Sequence, residues 1–109
     1  KVKQVEVKSE RLSDEEENAL GYKDPLIKSF VVSPNPNDGR FVAHIELKEE
    51  SSIQLSVFSI SRGVKLEERT RTGLDFYSEV FTLGNVNTGV YVVILNAGSE
   101  RRQVKIIIE

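Results

Sequence analysis

From Ser33 onward, apolar residues come in short runs with a period of two, separated by clusters of turn-forming residues. Phe41, Ala43, Ile45 and Leu47 alternate with Val42, His44, Glu46 and Lys48, which places one set on each face of a strand. Ile53, Leu55 and Val57 repeat the device against Gln54 and Ser56. Val64 and Leu66 lead into a more polar strand through Glu67, Glu68, Arg69 and Arg71, whose charges suit an edge that must resist pairing with other chains. Tyr77 to Leu83 is the next predicted strand. Val90 to Leu95 is apolar on both faces, as befits a central strand covered on each side or a strand at a binding surface. In the last run Val104, Ile106 and Ile108 alternate with Gln103, Lys105 and Ile107.

The punctuation agrees. Pro34-Asn35-Pro36-Asn37-Asp38-Gly39 cannot continue a helix or a central strand, because its prolines lack backbone donors and Gly39 tolerates positive φ. Arg62-Gly63, Thr72-Gly73, Gly84-Asn85, Thr88-Gly89 and Ala97-Gly98 mark further reversals. With Leu26 to Val32 as the first strand, the pattern predicts an all-β sandwich or barrel of seven short strands. Residues 1–25 read differently. Val2, Val5 and Val7 hint at a strand, and Ser13-Asp14-Glu15-Glu16 has capping-box spacing for a short helix ending at Gly21. We expect 1–25 to be a linker or the tail of a preceding domain, and 26–109 to be the folded domain.

Composition narrows the function. A chain of 109 residues buries about 65% of its unfolded surface, enough for one modest core and little room for a deep active-site cavity. Fifteen basic against 17 acidic residues give a net charge of −2, so no bulk field gathers nucleic acid or anionic lipid. No apolar run approaches the roughly 20 residues that span a bilayer, so direct membrane insertion is not expected. The chain has no cysteine, hence no thiolate nucleophile and no disulfide. It also has no methionine, which predicts that it is part of a longer protein.

Candidate chemistry is thin. His44 is the single imidazole and falls on the polar face of a strand, as a surface histidine does. Glu49-Glu50 and Glu67-Glu68 are adjacent, so each pair diverges to opposite faces and cannot converge on one substrate atom. Asn35, Asn37 and Asp38 offer oxygens to a cation but lack the spacing of an EF-hand loop. No glycine pattern cradles a phosphate. Tyr22, Tyr77, Tyr91, Phe58 and Phe81 are the aromatics available for a sugar platform, a role less common than core packing. We expect no enzyme activity, no metal and no cofactor.

One order of motifs reaches further. Val31-Val32-Ser33-Pro34-Asn35-Pro36-Asn37-Asp38-Gly39-Arg40-Phe41 opens the segment, and Ile53 to Ser61 is a strand ending in the aromatic Phe58 before the Arg62-Gly63 turn. Val86-Asn87-Thr88-Gly89-Val90-Tyr91-Val92-Val93 and Gln103-Val104-Lys105-Ile106-Ile107-Ile108 complete it. In this order and spacing the chain from about Phe30 resembles the type A C-terminal sorting domain of the bacterial type IX secretion system. Arg62-Gly63 reverses the family's usual order, and Val86 stands where leucine is more usual.

The resemblance implies an immunoglobulin-like antiparallel β-sandwich of about seven strands that serves as an address. It implies an upstream cargo domain in cis, transit through the periplasm, and export to the cell surface or medium. The implied partners are secretion machinery proteins of the periplasm and outer membrane. The residues it marks for partner recognition are Pro34, Asn35, Pro36, Gly39, Gly89, Tyr91, Lys105, Ile106, Ile107 and Ile108. A terminal apolar strand can be presented to a partner by edge pairing, with Lys105 supplying a charge beside it. The competing reading is an accessory sandwich module that binds glycan or protein next to a catalytic domain.

Overall fold

The computed structural model describes residues 24–109. The helix anticipated near Ser13 to Gly21 and the strand hinted at Val2 to Val7 lie outside them. Within them the chain forms five strands, β1 (Ile27–Ser33), β2 (Arg40–Ser59), β3 (Val64–Thr82), β4 (Gly89–Ala97) and β5 (Glu100–Ile108). All strand pairings are antiparallel.

Five continuous strands replace the seven expected, and the reason lies in β2 and β3. These long strands pair with each other from Arg40↔Thr82 to Ser59↔Val64, with register breaks between Glu46 and Ile53. Bulges of this kind bend a strand pair without ending it. The first part of β2 also pairs with β1, from Ile27↔Leu47 to Ser33↔Val42. Its last part pairs with β4 instead, from Ile53↔Ala97 to Ser59↔Tyr91, and β4 pairs with β5. One hairpin thus contributes to two layers. The first holds β1, the start of β2 and the end of β3. The second holds the start of β3, the end of β2, then β4 and β5. The predicted turn at Thr72-Gly73 and the stretch between Glu46 and Ile53, for which no turn was expected, are the bends between layers.

The layers form an immunoglobulin-like sandwich with one apolar core. Phe41, Ala43, Ile45, Leu47, Tyr77 and Phe81 face it from the first layer, and Ile53, Leu55, Val57, Tyr91, Val93, Leu95, Ile106 and Ile108 from the second. The period of two survives the bend because Phe41 to Leu47 and Ile53 to Val57 share one parity along β2. Phe41 and Phe81, directly paired, stack with centroids 5.2 Å apart. β4 is central in its layer, and its outer face grades from buried Ile94 through half-buried Val92 to exposed Val90.

Candidate functional site

The Pro34–Gly39 turn and the terminal strand, far apart in sequence, form one hydrogen-bonded unit. Asn35 behaves like one residue of a neighbouring strand: its Oδ1 accepts the Ile107 N–H at 3.0 Å and its Nδ2 donates to the Lys105 carbonyl at 3.0 Å. Asn37 continues with its backbone, its N–H donating to Ile107 O at 3.0 Å and its carbonyl accepting the Glu109 N–H at 2.9 Å. The turn therefore covers the outer edge of β5 from Lys105 to Glu109.

The turn is also braced internally. Asn37 is buried, and its side chain donates to Pro34 O at 2.9 Å and accepts the Gly39 N–H at 2.8 Å, an Asx turn that fixes the reversal. Gly39 adopts φ 106°, and a Cβ there would stand 2.9 Å from the Leu83 carbonyl oxygen. That oxygen is backbone and cannot swing aside, so only glycine fits. Asp38 Oδ1 accepts the Arg40 N–H at 3.2 Å. The oxygens considered for a cation are thus engaged with backbone donors.

The marked residues separate into two kinds. Pro34, Asn35, Pro36, Lys105 and Ile107 are exposed, whereas Gly39, Tyr91, Ile106 and Ile108 are buried. Gly89, partly covered, starts β4 at φ 153° and pairs with Ile108. Tyr91 sits opposite Ile106, and its hydroxyl donates to Asn87 O at 2.6 Å, four residues upstream. A tyrosine bonded back to the preceding backbone pins the corner of many immunoglobulin-like sandwiches. Tyr91, Ile106 and Ile108 therefore shape the site from beneath, while Lys105 and Ile107 project from the outer face of the second layer.

At the opposite end of β5, Glu100 accepts the Leu26 N–H at 2.6 Å and the Ile27 N–H at 2.9 Å. These two bonds, the Ile27 one foremost, hold its carboxyl below the usual carboxylate range, with Arg102 and Lys48 adding a smaller pull. Sequence reasoning missed Glu100, since an acid following a Gly-Ser turn carries no local mark of a partner more than 70 residues away. It placed Asn37 in the turn and among possible cation donors, but did not single out its side chain as the brace, although an Asx residue two before glycine is itself a turn signal.

Tyr22 lies outside the described residues, and the other chemical candidates within them are engaged in structure. His44 lies half-buried on the outer face of the first layer, its Nδ1 3.3 Å from Ser78 Oγ. Glu67 turns inward to Arg69 while Glu68 turns outward to Lys65, as strand alternation requires. Tyr77, Phe81 and Tyr91 belong to the core, which withholds them from stacking on a sugar. Among the described residues, no three His, Cys, Asp or Glu side chains converge as metal ligands.

What remains is an immunoglobulin-like recognition module whose most constructed feature joins an early turn to the last strand. The family model of the secretion system C-terminal sorting domain matches residues 31–109, and the chain belongs to that family. The domain is a C-terminal sorting signal for type IX secretion, the part of a cargo protein that interacts with the secretion machinery and directs export across the outer membrane. No curated protein matches the chain.

Proposed function

We propose that the machinery reads this domain at the end where the Pro34–Gly39 turn meets the terminal strand. The observation that carries the proposal is the Asn35 side chain, which spans from the turn to both Lys105 and Ile107. Through it, Pro34, Asn35, Pro36, Lys105 and Ile107 form one exposed surface, held by Gly39, Gly89, Tyr91, Ile106 and Ile108. A machine that accepts many cargoes needs a feature independent of each, and a surface fixed by backbone bonds meets that need.

On this reading the domain occupies residues 26–109, adds no catalysis of its own, and travels through the periplasm attached to cargo that precedes it. Components of the periplasm and outer membrane bind it, without nucleic acid or membrane insertion. The cover on the β5 edge changes one part of the expected mode of recognition. Strand addition at Lys105 to Glu109 requires displacing Asn35 and Asn37, so side chains, rather than that edge, make the contact.

The test is export of a fluorescent reporter carrying the 109-residue chain, scored by surface labelling in a type IX-competent bacterium. The intact chain sends the reporter out, and deletion of Ile106 to Glu109 strands it in the periplasm. Because that deletion removes two core isoleucines, Lys105→Ala is run beside it. This exposed substitution leaves the melting temperature unchanged and lowers export. Normal export of both variants rejects the reading.

A further inference from the structure

Two exposed apolar patches lie on opposite outer faces of the sandwich, and their charged surroundings separate them. The first layer presents Val31, Phe76 and Val80 around His44, with Lys28 nearby already paired to Glu46 at 3.6 Å. Arg40, a cation on that face with no ion pair among the described residues, lies at its margin, beyond the Val42–Val80 pair, rather than among the apolar residues.

The second layer differs. Strand register places Val90 beside Ile107, and Val92 between Phe58 and Lys105. The Ile60 N–H bonds to the Val90 carbonyl at 3.2 Å, extending the row across the β2–β3 turn. Ile60, Val90 and Ile107 are 49%, 40% and 47% exposed, which is costly to maintain on a strand face unless something covers it. Two cations border this stripe, Lys105 within it and Arg62 in the turn after Ile60, and neither makes an ion pair among the described residues. Lys65, by contrast, lies over Phe58 and is neutralised by Glu68. The acidic group on the same row is Glu109, and it is paired with neither cation.

We infer that the stripe Ile60–Val90–Ile107 with Lys105 docks a protein segment presenting an apolar row flanked by carboxylates. This rests on the sorting reading and specifies the partner's chemistry. Apolar contact supplies affinity, and the unneutralised cations select acidic rather than basic partners and fix the orientation.

The experiment compares four single variants of the 109-residue chain on the same exported reporter, with melting temperature measured for each. Ile107→Asp repels a flanking carboxylate and breaks the apolar row, and Lys105→Glu reverses the selecting charge. Both are expected to lower export about tenfold or more at unchanged melting temperature. Val80→Asp, on the opposite face at 60% exposure, is expected to export normally. Lys105→Arg, which keeps the charge, is expected to restore most export. If the unmodified chain is not exported, the sorting reading itself fails, and this inference with it. If the unmodified chain, Ile107→Asp and Lys105→Glu are all exported equally, sorting stands and this surface is rejected. Equal loss from Val80→Asp also overturns it. So does a purified chain that sediments as an Ile107-dependent dimer, because the occupant is then a second copy. Lys105-dependent binding to phosphatidylglycerol vesicles overturns it as well, in favour of a lipid.

Discussion

The two lateral edges of the sandwich solve the same problem by different means. β3 forms one edge through both layers, and it is guarded by charges that point inward. Arg69 donates to Glu67 at 2.6 Å and to Glu79 at 3.2 Å, Arg71 joins Glu79 from the other side, and the Arg69 guanidinium lies 4.0 Å over the Phe81 ring. A strand arriving from another molecule would have to desolvate and break this network, which is how charged edges suppress aggregation. The edge formed by β1 and β5 is treated differently. It is closed with neutral amides at one end, from Asn35 and Asn37, and with the Glu100 carboxylate at the other. A charge-guarded edge repels every partner alike, whereas an edge covered by a turn leaves the adjoining face available for selective contact. That difference teaches why the recognition surface belongs on the β5 side.

Substitutions can break or sharpen this contrast. Beneath the guarded edge, Phe81→Ala removes a fully buried ring together with the Phe41 stack and the seat of Arg69, and should cost about 3–5 kcal/mol in denaturant unfolding. On the other side, Tyr91→Ala should cost about 3 kcal/mol through lost burial and the lost bond to Asn87. An unchanged melting temperature there would show that Tyr91 does not pin the terminal strand. Glu79→Ala leaves two guanidiniums facing each other across a partly exposed gap, with a loss of about 1–2 kcal/mol and increased association at high protein concentration.

Asn35→Ala is expected to cost about 1 kcal/mol, and hydrogen exchange is the sharper readout. The Ile107 amide should exchange faster while the Val93 amide keeps its protection. Equal protection at Ile107 would mean that the turn does not cover the edge.

The smallest effect concerns pH. The Glu100 carboxylate has a lowered pKa when folded, so the unfolded chain binds its proton first as pH falls. Its stabilisation is present above the ordinary carboxylate range and is lost as pH drops through the depressed value. Glu100→Gln should flatten that acid-side slope in thermal melts, while near neutral pH it costs about 1 kcal/mol or less.

Much of this was legible along the chain. Alternation at Phe41 to Leu47, Ile53 to Val57 and Val104 to Ile108 is a local consequence of strand geometry, so the inward residues could be named in advance. The charges of Glu67 to Arg71 announced an edge, and Pro34 to Gly39 announced a turn, because each reflects preferences acting within a few residues. The four motifs in order pointed to the family that the comparison found.

Contacts closed by tertiary packing were not legible. Whether Glu46 to Ile53 ends a strand or bends one depends on partners supplied by β1 and β4, which is why seven short strands became five. That Asn35 would complete the edge of a strand 70 residues away depends on where two layers bring their ends together. An amide side chain carries no record of the backbone it will meet. Short-range stereochemistry wrote the strands, turns and inward faces into the sequence, while the joining of turn to tail, and the charged and apolar surface beside it, arose only when the chain folded over its core.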